Sequence, residues 1–441
     1  MTVKFVGNKR NLSEETRLAK NKAISESQRA TRLKRKNQIC KVRDIKIVDN
    51  KLSALQRETL ERIFLEAKWL RNDCIASGID GYKPSSTVPV KLPDNTFEIR
   101  DYKALGSQMK QSIVTQVKRD NKNLQALRKK KPNIAKQLRF SSSVNSVDLV
   151  QFGMTYRFVN DRKTKMKIQN IPKHVRVRGA EQIKDGECAN AKLVKRADGY
   201  HILITCFYDK KTHKDVYKPD TIIGIDMGLK TSITLSNGDK LDVSIGETER
   251  LKRLQKKAAK QKKNSNNQKR TYRLIQKEYL AISNKRQEAA NQIVHKILQN
   301  ETVCMQDENI TSWKKKKGCV RGGKTVQRSI LGRVKAKLIH HDRVIVLKRN
   351  QPTTAYCNIC GNKTKHTPDK RMFTCNSCGH TADRDIHAAC NMIRLAVLTS
   401  PGEPRLARVE EMSDKSNKAL SNLAALQSSM KHETPLSLAA G

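Results

Sequence analysis

The sequence predicts a multidomain α/β protein, and three features support that prediction. Apolar and polar residues alternate between Ser141 and Tyr208, which is typical of an antiparallel sheet. From Thr221 onward, short apolar strands alternate with helical segments, which indicates an α/β domain. Two Cys-x-x-Cys pairs lie within that second region and indicate a small metal-binding insertion.

Composition restricts the choice of partners. The chain has 441 residues and a formal net charge of +48, so its field attracts polyanions and nucleic acid is the expected partner. Aromatic residues make up only 4%, so contacts to phosphate and sugar are expected to outweigh base stacking. A membrane surface is the weaker alternative, because no stretch approaches the ~20 apolar residues of a spanning helix.

The cysteine content and the N-terminus indicate a compartment. Eleven cysteines, four of them in two pairs, suggest a reducing environment with one metal site and no disulfide framework. The segment from Met1 to Lys9 lacks the apolar core of a signal peptide. We therefore expect a cytoplasmic protein.

Residues 1–39 are predicted to form a basic arm built around a helix over 11–38. Ser13 can serve as its N-cap, and Glu14 follows in the first turn, where the helix dipole favours acidic side chains. The alternative is a solvated or frayed arm. The basic residues expected to bind nucleic acid are Arg29, Arg32, Lys34, Arg35 and Lys36.

Residues 40–51 and 139–220 are predicted to form one β domain that a helical segment interrupts. The early strand carries alternating apolar residues, and several strands follow the interruption. Arg176 and Arg178 alternate with valines, so they fall on one face of a strand. We expect both to contact nucleic acid.

Residues 52–138 are predicted to form the helical insertion. Ser53 and Gln56 have the spacing of a capping box at its start. Trp69 lies on the apolar face of the first helix, so we expect it in the core and not against a base. Residues 84–93, which begin and end with proline, are predicted to form a loop.

Residues 221–350 and 382–399 are predicted to form the two parts of the α/β domain. A helical hairpin over 247–299 begins with a strongly basic helix. Residues 400–441 are rich in Ser, Ala and Leu, and we expect a flexible tail there. The basic residues of the hairpin expected to bind nucleic acid are Lys252, Arg253, Lys256, Lys257 and Lys260.

Residues 351–381 are predicted to form a zinc ribbon. Two Cys-x-x-Cys turns that close on each other give four thiolates around one tetrahedral ion, which suits structural Zn²⁺. Gly361 and Gly379 follow the two pairs, as such turns require. The predicted ligands are Cys357, Cys360, Cys375 and Cys378.

Three acidic sites from separate segments are the candidates for catalysis. Asp226 ends an apolar strand between Gly224 and Gly228, Glu308 follows a second strand, and Asp385 begins a helix. Alone, each would more simply be a turn residue or a helix cap. Together they suit a site in which two Mg²⁺ ions, bound by carboxylates, hydrolyse a phosphodiester.

In combination, these motifs resemble the TnpB (OrfB) family of transposon-encoded nucleases, which are related to the type V CRISPR effectors. The resemblance rests on Gly224-Ile-Asp226-Met-Gly228, on the cysteine ribbon and on Asp385-x-x-Ala-Ala-x-Asn391. It covers Thr221 to Met392 well and the earlier residues only in general layout. It implies a wedge-like β domain, a helical recognition domain and an RNase H-like (RuvC) nuclease domain with an inserted zinc ribbon.

The resemblance also implies an activity. A guide RNA would pair with one strand of double-stranded target DNA, and the protein would read a short adjacent motif. Asp226, Glu308 and Asp385 would hold two catalytic Mg²⁺ ions for cleavage. The expected setting is a prokaryotic mobile element, with the protein in the cytoplasm and associated with the nucleoid. Monomer and homodimer both remain open.

The second acidic site departs from the family pattern. Most members place a Glu first in an acid-acid-apolar triplet, and Gln306 occupies that position here. Because side chains alternate along a strand, we predict that Glu308 faces the same side as Gln306 and supplies the third carboxylate. Asp307 would face away. His387 stands where the family usually has Asn.

Two other functions fit the same sequence. A nuclease-inactive relative would bind guide RNA and DNA and repress transcription, differing only at the acidic residues. A zinc-ribbon protein without a guide would bind nucleic acid as an accessory factor in transposition. A discrete co-purifying RNA would separate the guided functions from the accessory one.

Overall fold

The computed structural model describes residues 13–92, 94–210, 217–229, 232–314, 322–349, 351–364 and 370–398, except the side chains of residues 314, 322 and 324. The predicted tail at 400–441 lies outside the described residues, as does most of the glycine-rich basic loop after Trp313. The chain divides into two compact units, residues 1–214 and 215–441.

The first unit is built on a seven-stranded sheet. Its helices are α1 (Glu14–Lys36), α2 (Ala54–Ala76) and α3 (Ser107–Lys130), and its strands are β1 (Gln38–Ile47), β2 (Thr87–Lys91), β3 (Phe97–Asp101), β4 (Ser146–Leu149), β5 (Tyr156–Phe158), β6 (Lys165–Ile168), β7 (Val175–Arg178), β8 (Glu187–Arg196) and β9 (Gly199–Asp209). The sheet order is β4-β8-β9-β1-β7-β6-β5, and every pair is antiparallel.

The early strand joins the later ones, as the alternation predicted. β1 pairs with both β9 and β7, and its Ile45 and Ile47 are completely buried. The helical insertion packs on this core, and the Ser53–Gln56 capping box at the start of α2 is present. Trp69 is buried, as predicted for a core residue.

The prediction of a loop over residues 84–93 is wrong. Residues of this segment form β2, which pairs antiparallel with β3. Val88 is completely buried, and this burial favours a strand despite the flanking prolines. Pro89, inside the strand, is tolerated because the hairpin has only two strands and the proline can face away from the ladder.

The second unit contains a five-stranded mixed sheet. Its helices are α4 (Glu249–Lys260), α5 (Asn266–Ile297), α6 (Gly322–Arg328), α7 (Leu331–Leu338) and α8 (Arg384–Leu398), and its strands are β10 (Lys218–Met227), β11 (Ile233–Leu235), β12 (Lys240–Leu241), β13 (Asn300–Gln306), β14 (Val344–Leu347), β15 (Met372–Thr374) and β16 (Thr381–Asp383). The order is β12-β11-β10-β13-β14. Neighbouring strands are antiparallel from β12 through β11 to β10, whereas β13 and β14 run parallel to β10.

Helix α8 crosses this sheet at close range because Gly224 lies beneath it. A Cβ atom at position 224 would lie 1.9 Å from the carbonyl oxygen of Ala389, so no side chain fits there. Cys390 and Ile393 are also buried on this side of the helix. The close approach fixes the N-terminal end of α8 relative to β10, which carries Asp226 two residues after Gly224.

Helices α4 and α5 form the predicted hairpin. Thr248 caps α4 through its side chain, and Leu251 and Ala258 pack against Ile275 and Ile282 of α5. No helix within the described ranges is both long enough and apolar enough to cross a membrane.

Candidate functional site

Asp226 lies near the carboxyl end of the central strand. Its neighbour Ile225 pairs in parallel with Met305, which places Asp226 beside Gln306 on the adjacent strand. Because β10 and β13 are parallel, both strands end at the same edge of the sheet. The acidic residues that follow β13 therefore emerge close to Asp226.

The charges around Asp226 identify its neighbours. Burial, followed by the carboxylates of Asp385 and Glu308, raises the pKa of Asp226 to about 7, while Arg384 opposes them. The charges of Asp385 and Glu308, the other two acidic residues singled out in the sequence, thus both act on Asp226.

The chain turns sharply after β13. The amide of Glu308 donates to the carbonyl of Gln306 at 2.8 Å, a tight turn of the γ type. Simple alternation along a strand therefore does not apply to Glu308, and the reason given for its orientation is wrong. Its charge nevertheless acts on Asp226.

The side chain of Gln306 has a structural contact. It is buried, and its Nε2 donates to the carbonyl oxygens of Lys348 at 3.2 Å and Gln351 at 3.0 Å. The amide thereby ties the segment after β14 to the end of β13. A carboxylate could not donate these two hydrogen bonds.

Asp307 and Glu308 have different environments. Asp307 forms ion pairs with Lys335 at 2.5 Å and with Arg349 at 2.9 Å. The hydrogen bond from Lys335 has the largest effect on the pKa of Asp307 and lowers it. Burial raises the pKa of Glu308. Among the described residues, no side chain hydrogen bonds with the Glu308 carboxylate, so it is the better placed of the two to bind a ligand.

Asp385 lies in the first turn of α8, where the helix dipole favours a negative charge. Asp383 caps this helix by accepting hydrogen bonds from the amides of Asp385 and Ile386 at 2.9 and 3.3 Å. Arg371 holds one Asp385 oxygen at 3.0 Å, and Arg384 holds the other at 3.2 Å.

These two arginines were not predicted as part of the carboxylate site. Arg384 could have been found, because it stands between Asp383 and Asp385 in the sequence. Arg371 lies in the predicted ribbon, 14 residues before Asp385, and no local pattern links the two. It reaches Asp385 because β15 pairs with β16, and that register is a tertiary feature.

The four predicted cysteines converge. Their sulfur atoms all lie within 4.8 Å of one another, with Cys357 Sγ 3.7 Å from Cys378 Sγ and Cys360 Sγ 3.6 Å from Cys375 Sγ. Four sulfurs about 2.3 Å from a tetrahedral Zn²⁺ would be about 3.8 Å apart, so the cluster could hold zinc.

The local backbone also suits a metal-binding turn. Gly361 and Gly379 have φ values of 80° and 70°, which favour glycine. The amides of Cys378 and Ser377 point at the sulfur of Cys375 and lower its pKa to about 6. A thiolate is the form that binds metal.

One face of α8 contacts the cysteine segment. His387 is completely buried, stacks on Phe373 with ring centroids 3.8 Å apart, and accepts a hydrogen bond from the Asn358 amide at 3.3 Å. Asn391 donates to two backbone carbonyls before Cys357, and Arg394 donates to the carbonyl of Cys357 itself at 2.5 Å. The helix that carries Asp385 is thus packed directly on the predicted ribbon.

The predicted nucleic-acid contacts differ in their surroundings. The five residues of α4 predicted to bind nucleic acid are all exposed, although Lys252 pairs with Glu249, and Arg176 and Arg178 are exposed on one face of β7. On α1, Lys34 and Arg35 both pair with Glu187 at 2.8 Å. The other three predicted residues of α1 are exposed: Arg29, Arg32 and Lys36.

Comparisons with known proteins match the segments that carry most of the motifs described above. Residues 205–305 match the family OrfB_IS605, described as "Probable transposase", and residues 329–392 match the "Cas12f1-like, TNB domain" family. The resemblance to the TnpB (OrfB) family that the motifs indicated is confirmed over these segments. They include Asp226, the four cysteines and Asp385, whereas Glu308 lies between them.

A curated relative extends this likeness. A Streptomyces pristinaespiralis protein named "Putative RNA-guided DNA endonuclease" is 27% identical over 188 residues, which cover 40% of this chain and 46% of the relative. The match therefore spans less than half the length of that relative.

Two solved structures are also similar. The chain in "Cryo-EM structure of the Cas12f1-sgRNA-target DNA complex" is 13% identical, with 77% of this chain and 81% of that chain covered and a TM-score of 0.40. The chain in "Structure of the mini-RNA-guided endonuclease CRISPR-Cas_phi3" is 11% identical, with 83% and 94% covered and a TM-score of 0.39.

Proposed function

We propose that this protein is an RNA-guided DNA endonuclease of a prokaryotic mobile element. The observation that supports this most is the parallel register of β10 and β13, which brings the turn with Glu308 to the edge of the sheet where Asp226 lies. Burial, and then the carboxylates of Asp385 and Glu308, raise the pKa of Asp226 there. Gathering three acidic groups costs free energy because like charges repel. Divalent cations would offset that cost, and carboxylate oxygens are the ligands that Mg²⁺ prefers.

The site suits hydrolysis of a phosphodiester. Asp226, Glu308 and Asp385 would hold two Mg²⁺ ions, which when bound supply an activated water and stabilise the leaving oxygen. Arg371 and Arg384 already balance the charge of Asp385. Both guanidinium groups would meet the phosphate of a strand brought to this edge, and their planar geometry suits phosphate oxygens.

The order of the strands and the cysteine cluster support the domains that the resemblance implies. The order β12-β11-β10-β13-β14, with two parallel strands after an antiparallel meander, is the arrangement expected of an RNase H-like (RuvC) domain. The four cysteines would bind one structural Zn²⁺, because all four positions of a tetrahedral ion are filled. The first unit would supply the wedge-like and recognition domains.

The positive charge of the protein indicates its binding partners. Guide RNA and double-stranded target DNA would lie along basic surfaces such as the outer face of α4, through phosphate contacts. Base pairing with the guide would select the target, and the protein would read a short adjacent motif. This division of labour needs no extensive base readout by side chains.

The test begins with RNA that co-purifies with the protein. Its sequence defines a matched DNA target, flanked by a randomised segment that reveals any required motif. We expect Mg²⁺-dependent cleavage of that target and none of a scrambled target. Absence of any discrete RNA would contradict the guided function and favour the accessory zinc-ribbon protein.

One observation favours a second candidate function. Gln306 replaces a carboxylate on the strand beside Asp226, and its amide is occupied with backbone carbonyls. A protein with a weakened metal site could bind guided targets without cutting and so repress transcription. Guided binding with no cleavage at any Mg²⁺ or Mn²⁺ concentration would establish that alternative.

A further inference from the structure

A cavity of about 420 Å³ opens in the first unit between α2 and the β2–β3 hairpin. Three aromatic side chains line it: Trp69 from α2, Phe97 from the hairpin and Phe140 from the segment after α3. Trp69 is nearly buried, whereas Phe97 and Phe140 are 69% and 66% exposed. The volume falls within the ~300–1,000 Å³ of typical ligand pockets.

Two exposed phenylalanine rings beside one cavity are unusual in this chain. Aromatic residues are only 4% of the sequence, and most of those in the first unit pack into its core. Apolar surface exposed to water is unfavourable, and a clustered apolar patch on a protein usually marks a binding site. The two exposed rings therefore favour binding of a ligand with a flat, apolar face.

The charges around the cavity indicate which ligand. Lys68 and Lys91 line it, and neither forms an ion pair within the part of the chain that the structure describes. Asp73 also lines the cavity, where its carboxylate accepts a hydrogen bond from the Tyr82 hydroxyl. A phosphate inside would meet this carboxylate, whereas a phosphate outside can reach Lys91, which is exposed.

The geometry points to a binding site for one unpaired nucleobase, and we propose that a base of single-stranded RNA or DNA stacks on Phe97 and Phe140 here. The adjacent phosphates contact Lys68 and Lys91. This inference rests on the proposed function for the presence of nucleic acid. Stacking accepts any base, because every base has a π face, so the site secures an unpaired nucleotide without reading sequence.

The test compares 12-nucleotide strands with and without bases on the same sugar–phosphate backbone. Fluorescence anisotropy gives the affinity of the full chain for labelled dT12, for labelled rU12 and for an abasic strand of each backbone. The measured quantity is the ratio of base-bearing to abasic affinity on each backbone. Phe97→Ala and Phe140→Ala should each lower that ratio about tenfold, because each removes a ring on which the base stacks.

Matched variants keep the result interpretable. Phe152→Ala removes another exposed phenylalanine of the same unit that does not line the cavity, and it should leave the ratio unchanged. Ala76→Phe fills the cavity from α2 without removing a ring, and it should lower the ratio as well. A loss confined to rU12 identifies the base as RNA, and one confined to dT12 identifies it as DNA.

The possible failures are distinct. If the Phe97→Ala/Phe140→Ala double variant keeps the wild-type ratio with both strands, the base site is wrong, whatever the nuclease does. If the protein cuts no guided target but the ratio depends on these two rings, the endonuclease function fails and the base site stands. If the wild-type protein binds neither base-bearing strand, both proposals are wrong.

Discussion

The cysteine cluster and the carboxylate cluster of the second unit are built in opposite ways. All four cysteines come from one short segment, and Cys357 and Cys378 are 21 residues apart. The carboxylates come from β10, from the turn after β13 and from the start of α8. Local spacing brings the first set together, whereas only the folded sheet and the packing of α8 bring together the second. The first site should therefore depend on its own metal and the second on everything that positions its parts.

Removing a cysteine ligand should have the largest effect. Cys375→Ser should release the one Zn²⁺ and unfold the ribbon, because metal binding of about 10 kcal/mol or more stabilises such segments. His387, Asn391 and Arg394 would lose their partners, so cleavage should be lost as well. Metal analysis and limited proteolysis measure the first effect.

The matched control is Cys40→Ser, which changes an exposed cysteine outside the cluster. It should keep both zinc and cleavage. Intact wild-type protein that contains no zinc would rule out the ribbon. A Cys375→Ser variant that loses zinc yet cuts normally would show that Asp385 is positioned without the ribbon.

The same difference between local and distant contacts explains which features could be predicted from the sequence. Local patterns predicted the capping box of α2 and the convergence of the four cysteines, because each depends on near neighbours. Strand β2 was missed because Val88 is buried in the folded unit, where β2 packs against α2, and this tertiary contact leaves no local pattern. The prolines were a local signal that tertiary packing outweighed.

The carboxylate site was predicted less completely. Asp226 and Asp385 were singled out by strand-end and helix-start patterns, and Asp383 caps the helix that carries Asp385. The argument for Glu308 used strand alternation, but the chain turns at that point. The contact between Arg371 and Asp385 depends on strand register, which no local pattern specifies.

Removing a carboxylate should reduce cleavage by the next largest amount. Asp226→Ala should lower the cleavage rate by on the order of 1000-fold or more, since metal ligation supplies several kcal/mol of transition-state stabilisation. Glu308→Ala should act similarly if it is the third ligand. Single-turnover cleavage of the guide-matched target measures both rates.

Asp307→Ala is the matched control for Glu308→Ala. Asp307 is adjacent in sequence, carries the same charge and is paired with Lys335 and Arg349. Its removal should change cleavage less than about tenfold. If Glu308→Ala cuts like the wild type, Glu308 is not a metal ligand.

Removing positive charges from α4 should have a smaller effect than removing a carboxylate. The loss of binding should be similar for every nucleic-acid sequence, because these side chains contact phosphates. Neutralising the five basic residues of α4 that were predicted to bind nucleic acid should weaken that binding by on the order of 100-fold near 0.1 M salt and reduce the slope of log K against log salt by up to about four. The residues changed are Lys252, Arg253, Lys256, Lys257 and Lys260. Binding titrations from 50 to 300 mM salt measure the slope.

The comparison variant for α4 is Lys34→Gln/Arg35→Gln on α1. Both residues already pair with Glu187, so their removal should change the slope by less, for each charge removed, than the α4 substitutions do. An unchanged slope for the α4 variant would assign that helix to ordinary solvated surface.

The smallest effect concerns Gln306, which has a catalytic position in the family and a structural contact here. Gln306→Ala removes two hydrogen bonds to the carbonyls of Lys348 and Gln351, and it should lower the free energy of unfolding by about 1–2 kcal/mol. Cleavage should persist, because no ligand is lost. Chemical denaturation and single-turnover cleavage measure the two quantities.

Gln306→Glu separates the two roles more sharply. The carboxylate cannot donate to either carbonyl, and it adds a negative charge beside Asp226, so without metal this variant should be less stable than Gln306→Ala. If position 306 faces the metal site, Mg²⁺ should restore much of that stability, because a ligand that binds only the folded state stabilises it. If Mg²⁺ restores the stability, a side chain at position 306 can reach the metal site, and Glu308 takes the place of that carboxylate in this chain. Equal instability with and without Mg²⁺ would mean that residue 306 only ties β13 to the segment after β14, and that the carboxylate site is completed from the turn alone.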